Sequence, residues 1–527
     1  MQNVTEPGAG SREPGAGSRE PRAVLAVART ITSAVRLLDE LDVLRGDDRI
    51  AVSFWLDERS RFSHGARDLL LQRGVRILTD DEQQKQSFDL ILTASENTAI
   101  PEDIETPILL LPHGVGFHKH LRDVDGTPRL SGVTLTNRPG LRVAIAHESQ
   151  RTQLSHVAPE LAGKAVLTRD SYFDRLRASQ PLRTLYREAL HVGPRRLVLI
   201  SSTWGEQALL TRQPDLPSRL LAALPADEFA VALALHPNLW SAQGDWQIRT
   251  RLAEALDAGL LLVPAGQGWP ASVVAADLVV GDHGSVTFYS AALGRPILLT
   301  GDGGPEMVPE TPMHRLISSA TRLRGTDLRD QVSDASPVSP AIRDAAFSGD
   351  HDVHHWILDA LGLPPREQTP HRAWPAAHVD AAAVASFQVH TSSRPDGSLR
   401  IERFPAAVGA YLPEVVRASS HLATYDDELD LGRRDSASVM LSRSVREPAQ
   451  TREWLEEHSR QRFLAAVAEP GNTVLVRLRG QLSRVTGSGD AALVSAALHH
   501  LVQHGSPRGP VRVTLGPITV KLEISPQ

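Results

Sequence analysis

From residue 23 onward, short apolar runs alternate with amphipathic stretches. Ala23–Ala28 reads as a strand, and Ile31–Leu44 as a helix with apolar positions at Ile31, Val35, Leu38 and Leu41. Ile50–Leu56, Val75–Leu78, Phe88–Thr93 and Ile108–Leu111 are further strand-like runs, with a helix over Gly65–Arg73. This rhythm predicts right-handed crossovers and a parallel sheet covered on both faces. A second series begins at Arg196. Leu197–Ser201, Phe229–Leu235, Leu260–Val263, Leu278–Val280 and Pro296–Thr300 read as strands. Helices over Leu216–Leu224, Ile248–Ala258, Ala271–Ala276 and Ser285–Leu293 fall between them. The helical stretch His354–Leu361 either closes this second series or crosses back to the first.

Residues 363–380, rich in Pro, His and Ala, read as a linker. Beyond them a hairpin signal, Pro395-Asp396-Gly397, lies between Ser386–His390 and Leu399–Phe404. A helix near Glu453–Val467, a strand at Val474–Leu478 and a helix at Ala491–Val502 follow. The chain ends in a hairpin of Val511–Leu515 with Ile518–Ile524. The pattern therefore predicts an α/β protein of two doubly wound Rossmann-like domains, 22–190 and 191–362, with a smaller α+β domain at 381–527. Residues 1–21 carry a tandem heptapeptide, Glu6–Arg12 and again 13–19. Pro and Gly at that density cannot bury enough surface to fold, so this stretch reads as a disordered leader. It has no apolar core of a secretory signal, and no 18-residue apolar window occurs anywhere, so a cytoplasmic protein without an integral membrane segment is expected.

Composition narrows the function classes. The 527 residues hold 62 Asp plus Glu against 56 Lys plus Arg, a net charge of −6. That balance does not suit a protein whose task is to coat nucleic acid, and none is expected as partner. The absence of Cys removes disulfides, thiolate zinc sites, iron–sulfur clusters and thiol nucleophiles together. No GxxxxGK[ST] loop and no GxSxG elbow is present. His351, His354, His355, His499, His500 and His504 lack the spacing of a zinc framework, so no metal or cofactor is expected.

Three strand-to-loop junctions carry candidate chemistry. The first runs Leu111-Pro112-His113-Gly114-Val115-Gly116-Phe117-His118-Lys119-His120. An imidazole just past a strand end is placed as a general base, the glycines permit close approach, and Lys119 offers a cation to a phosphate. The alternative is a glycine turn with solvated histidines. The second, Ala234-Leu235-His236-Pro237-Asn238, aims His236 off a strand end, or simply caps it. The third runs from Ala276-Asp277 through Gly281-Asp282-His283-Gly284-Ser285-Val286-Thr287-Phe288-Tyr289 to Gly294-Arg295-Pro296. A strand here feeds straight into a helix whose unpaired amides suit a phosphate, with Asp282, Gly284, Ser285 and Thr287 around it. Asp282 or Ser285 as a plain N-cap fits the same residues.

Taken in order, these three clusters resemble the nucleotide-diphosphate-dependent transferases of the GT-B fold, closest to the CDP-glycerol glycerophosphotransferase and related polysaccharide-transferase families. The resemblance rests on His113, Gly114 and Lys119; on His236, Pro237 and Asn238; and on Ala276, Asp277, Asp282, Ser285, Phe288, Arg295 and Pro296. It spans roughly 22–330, and the family's Tyr-Ser-Ser reads His283-Gly284-Ser285 here. It implies that His113 deprotonates an acceptor hydroxyl while His236, Ser285 and the amides around Gly284 hold the donor's diphosphate without an obligatory metal. The function it implies is transfer of a glycosyl or glycerophosphate-like group from a nucleotide-diphosphate donor to a hydroxyl acceptor. The competing reading is a non-catalytic GT-B-like module that binds a nucleotide or sugar and contacts a protein partner through 381–527. A non-hydrolysing sugar-nucleotide epimerase would share the fold.

Overall fold

The computed structural model describes residues 20–526, apart from 60–62, 96–97, 99, 101–104, 113, 123–127, 131–137, 139, 158, 266–267, 366–371, 381 and 506–509. The expected leader therefore lies almost wholly outside the described residues, and so does His113.

The first sheet is built from β1 (Arg22–Ala28), β2 (Ile50–Leu56), β3 (Ile77–Leu78), β4 (Leu90–Thr93) and β5 (Ile108–Leu110). A separate two-stranded hairpin, β6 (His120–Arg122) with β7 (Pro128–Leu130), precedes its last members, β8 (Leu141–Ile145) and β9 (Ala165–Leu167). The order is β3-β2-β1-β4-β5-β8-β9 and every pairing is parallel. The pleat sends alternate residues of one strand into different cores. Val24, Ala26 and Ala28 pack with Leu37 of helix Ile31–Leu41, whereas Leu25 and Val27 pack with Ile108, Leu141 and Leu154. A strand buried on both faces is why β1 reads as an unbroken apolar run.

The second sheet contains β10 (Arg196–Ser202), β11 (Phe229–Leu235), β12 (Leu261–Leu262), β13 (Leu278–Gly281), β14 (Ile297–Leu299) and β15 (Thr321–Arg322). Its order, β12-β11-β10-β13-β14-β15, is again parallel throughout. Both sheets thus reverse direction beside their first strand, between β1 and β4 and between β10 and β13, which is the doubly wound topology with its ligand-binding switch point. Two Rossmann-like sheets are present, as the pattern implied. β8, β9 and β15 were not anticipated.

Helix Val353–Ala360 crosses back. Its Val353 and Ile357 join the core of the first sheet beside Val24 and Leu37. The stretch expected as a linker is also held. Trp374, Ala377 and Val379 are buried among helices of the second sheet. The Trp374 carbonyl accepts from Tyr186 Oη at 2.6 Å, and Arg175 stacks 3.8 Å from the Trp374 ring.

The expectation of a C-terminal α+β domain is corrected. β16 (Ser386–Ser393), β17 (Leu399–Pro405), β18 (Ser420–Tyr425), β19 (Val439–Leu441), β20 (Leu464–Glu469), β21 (Thr473–Leu478), β22 (Gln481–Thr486), β23 (Val511–Leu515) and β24 (Ile518–Pro526) form a closed barrel. Its order is β16-β17-β23-β24-β22-β21-β20-β19-β18, and β18 pairs back onto β16. Helix Ala491–His504 is buried on every face over its first nine residues, and all nine strands contribute to the core around it. Where one helix over Glu453–Val467 was expected, a helix Pro448–Ser459 ends and β20 begins. Short apolar runs such as Leu464–Val467 have no period that separates strand from helix, and barrel closure decides the matter. The barrel docks on the second sheet. Phe404, Val408 and Leu412 enter the core formed by Val198, Leu220 and Leu233.

Candidate active site

The carboxyl ends of both sheets open onto one cavity of about 390 Å³. Arg29 and Thr30 follow β1, Ala94 and Ser95 follow β4, and Ser201–Trp204 end β10 or follow it; all line this space. So do Leu111–Lys119 in part, Leu235–Asn238, and Gly284–Val286 with Tyr289. The two switch points, from different sheets, therefore face the same ligand-sized volume. Among its described lining residues are three fixed cations, Arg29, Arg36 and Lys119, and no Asp or Glu. Such a wall favours an anionic ligand.

The first predicted cluster forms a loop clamped at two points. Gly114 and Gly116 have φ of 105° and 99°, a left-handed geometry that glycine tolerates. A Cβ on Gly116 would stand 2.1 Å from Gln150 Nε2, and one on Gly114 would stand 2.3 Å from Ser285 Oγ. The glycines thus admit protein side chains rather than opening the backbone to solvent. Buried Gln150 donates to the Val115 carbonyl at 3.0 Å and accepts from the Ala146 amide at 2.8 Å. Across the interface, the Val115 amide donates to Ser285 Oγ at 3.4 Å. His113 itself is outside the described residues, but Pro112 and Gly114 on either side of it both line the cavity.

Lys119 leaves that loop and reaches the second sheet, where Nζ donates to Thr203 Oγ1 at 3.1 Å. Burial holds its ammonium below the usual lysine range, against the opposing pull of Asp282 and Glu306. His118 is buried with Nδ1 3.0 Å from the Gly116 carbonyl.

On the second sheet, Asp282 is fully buried and outside the cavity lining. Its Oδ2 accepts from the Thr203 and Leu209 amides, each at 2.9 Å, and its Oδ1 accepts from the Gly284 amide at 3.0 Å. It ties together the loops after β10 and β13. Thr287 is equally buried, packed under Gly281, and does not line the cavity. The structure thus separates Asp282 and Thr287 from the wall on which Gly284, Ser285 and Lys119 meet. His283 is buried with Nε2 3.1 Å from Glu306 Oε2. Although burial opposes it, the bond to His283 keeps Glu306 below the usual carboxylate range.

Ser285 begins the helix Ser285–Ala292, whose cap, Gly284, makes no side-chain bond. His236 caps helix Pro237–Arg251 by accepting the Asn238 amide at Nδ1, 3.1 Å away. That bond places the proton of the neutral ring on Nε2, as a donor. The ring also lies 6.1 Å from that of Trp204.

Sequence reasoning passed over the loops after β1 and β10, which contribute Arg29, Thr30, Thr203 and Trp204, missed Arg36, Tyr172 and Trp269, and gave no role to Tyr289 at the end of the third cluster. The signal for the first group was their place, directly after predicted strands. The aromatic group carried none, because Tyr172, Trp269 and Tyr289 come from three helices and stack only in the fold, with ring centres 5.9–6.3 Å apart. Among the described residues, no cluster of three or more metal-ligating side chains is found, and no helix is long and apolar enough to cross a membrane.

No protein-family model and no curated protein matches this chain. Among solved structures it is similar to the UDP co-structure of MnaA from S. aureus, at 10% identity and TM-score 0.40 over 65% of this chain and 98% of that one. A variant of the wall teichoic acid polymerase TagF gives 10% identity and TM-score 0.42 over 65% and 89%. Anabaena HepE in complex with UDP and glucose gives 15% identity and TM-score 0.38 over 64% and 99%.

Proposed function

We propose that this chain is a transferase that moves a glycosyl or glycerophosphate-like group from a nucleotide-diphosphate donor to a hydroxyl acceptor. The observation that carries the reading is the convergence of two doubly wound switch points on one cavity lined by cations and by no described carboxylate. A diphosphate is the ligand such a wall suits. Ser285, the amides at the start of its helix, and Lys119 would take the phosphate oxygens, with the helix dipole adding to the attraction. His236 would donate from Nε2. Asp282 and Thr287 would act indirectly, by fixing the loop.

On this reading His113 is the general base. It takes the proton of the acceptor hydroxyl as that oxygen bonds to the transferred group. The bond from that group to the nucleotide breaks, and the leaving nucleotide carries the electron pair away onto phosphate oxygens held by Lys119 and the amides. A bound phosphate would oppose the effect of burial, which holds Lys119 below the usual lysine range. Nucleotide-linked donors of this kind would place the enzyme in the cytoplasm, and the barrel would offer a surface to a protein partner.

The test is a panel of CDP-, UDP- and GDP-linked donors, followed by product analysis. His113→Ala is expected to lower turnover at least about a hundredfold while leaving donor affinity within about twofold. Donor binding without turnover in the wild type would instead support the non-catalytic module. Release or inversion of the sugar without an acceptor would support the epimerase.

A further inference from the structure

Arg36 lies in helix Ile31–Leu41, within one of the most regular amphipathic stretches of the chain, yet it falls on the buried side. Only 3% of it is exposed, and what is exposed lines the cavity. Its Nη2 bridges Glu40 at 2.7 Å, and its guanidinium carbon stands 4.6 Å from the centre of the Tyr172 ring. Among the described residues, its Nε and Nη1 have no hydrogen-bond partner.

The acids nearby are already engaged. Glu40 is also bonded by the Ser171 hydroxyl. Asp170 accepts from the Phe173 amide at 2.8 Å and from Tyr289 Oη at 2.9 Å. Asp39 accepts from Tyr172 Oη at 2.6 Å and faces Arg175 at 3.5 Å. None of the three lines the cavity. A guanidinium carries five N–H groups, and stranding buried donors is costly, most of all on a charged group. Such an arrangement persists most readily where a ligand supplies the missing acceptors.

Lys119 answers to different neighbours. It is bonded to Thr203 and feels the charges of Asp282 and Glu306, whereas the acids that act on Arg36 are Glu40 and Asp170. The two cations therefore serve different parts of the wall. We infer that the cavity has a second anion subsite at Arg36, which takes a phosphate or carboxylate oxygen of the substrate other than those of the donor's diphosphate. The inference rests on the transferase reading in that it assumes a diphosphate at the Ser285 wall. It adds that the acceptor, or the group transferred, is itself acidic.

The test is a thermal-shift titration of the full chain in two steps. The protein is first saturated with CDP or UDP, and inorganic phosphate or D-glucuronate is then added, with D-glucose as the neutral control. In the wild type, at least one of the two anions is expected to raise the melting temperature further, and glucose is not. Phosphate alone or glucuronate alone identifies which acid the subsite takes. In Arg36→Met/Glu40→Gln, where the buried pair is neutralised together and Glu40 is not left uncompensated, the anion is expected to bind at least tenfold more weakly. The diphosphate's own Kd should move less than threefold. If that variant fails to fold, Arg36→Lys keeps the charge beside Glu40 but cannot supply Nε and Nη1 together, and at least a threefold weakening is expected.

Absence of any added shift in the wild type overturns the inference, as does wild-type anion affinity in the variants. Equal loss of diphosphate and anion affinity also overturns it, because the guanidinium then belongs to the donor site. If no nucleoside diphosphate binds but Arg36-dependent anion binding persists, the donor reading fails and the Arg36 subsite stands.

Discussion

Asp282 and Ser285 are three positions apart on one loop, and their side chains do different jobs. The Asp282 carboxylate serves three backbone amides and no cavity, so Asp282→Ala strands all three donors at once. Charge-assisted bonds of this kind contribute about 1.5–3 kcal/mol each, so a loss of at least about 3 kcal/mol is expected in urea denaturation. Ser285 Oγ receives one long bond from the Val115 amide at 3.4 Å and otherwise faces the cavity. Ser285→Ala should therefore stay within about 1 kcal/mol of the wild type in stability and lose nucleoside-diphosphate affinity about tenfold, read by calorimetric titration. A Ser285→Ala protein that binds as tightly as the wild type would remove Ser285 from the donor wall. At this scale the sequence was legible in one respect and mute in another. A strand running into Gly284-Ser285 and a helix announced a helix start facing a sheet edge. Nothing in the order of residues said which of Asp282, Ser285 and Thr287 would point into the cleft, because that depends on which amides the neighbouring β10 loop presents.

Strands buried on both faces were readable because a continuous apolar run has no polar side to lose, which is why β1, β4, β10, β11 and β13 stood out. β8 and β9 were passed over because each is three to five residues long and sits among polar and helical segments, with the edge position of β9 demanding little apolar content. The barrel was misjudged for a related reason: helix Ala491–His504 reads as an ordinary apolar helix, and only closure shows that strands surround it. That burial has a titration consequence. His499 on this helix stacks against His421 of β18 with ring centres 3.7 Å apart, and Phe463 lies edge-on at 4.7 Å. Burial, with the charge of His499, pushes His421 down to about 3; burial, with His500 and His504, pushes His499 down to about 4. Both titrate near 6.5 in an unfolded chain. Between those values the unfolded state binds more protons, so stability falls as pH drops from about 6.5 towards 4. Asp39, raised by burial to about 6, works in the opposite sense over part of this range, and does so whatever stands at 499. His499→Leu is therefore expected to lose less melting temperature than the wild type between pH 7 and pH 4.5. Parallel losses would show that the pair titrates freely in the folded barrel.

Over the whole molecule, three bodies are joined through the second sheet, and the joints differ in kind. The first and second sheets meet through the cavity itself, through the Val115–Ser285 and Lys119–Thr203 contacts, and through the returning helix Val353–Ala360. Apolar contacts accompany them: Val115 enters the second sheet's core, and Val308 packs against the first sheet's core beside Phe117. The barrel, by contrast, sends Phe404, Val408 and Leu412 into the hydrophobic core of the second sheet. It adds a paired Arg403–Asp227 bridge and a cluster of Arg329 and Arg400 around Glu228 and Glu402. A shared core couples the unfolding of the bodies that share it, whereas a polar cleft does not. The expected calorimetric profile is a transition for the first sheet that can separate from a joint transition of the second sheet and barrel. Phe404 is 2% exposed, and Phe404→Ala should cost about 3–5 kcal/mol as a cavity in that shared core. It should lower the joint transition as one step, and leave the first-sheet transition where it was. A nucleoside diphosphate would then raise the joint transition in wild type and variant alike, because Ser285 and the helix start of the proposed donor wall belong to the second sheet. A Phe404→Ala profile in which the barrel melts alone, with the second sheet unmoved, would mean that the barrel is an attached neighbour rather than part of the donor domain's core.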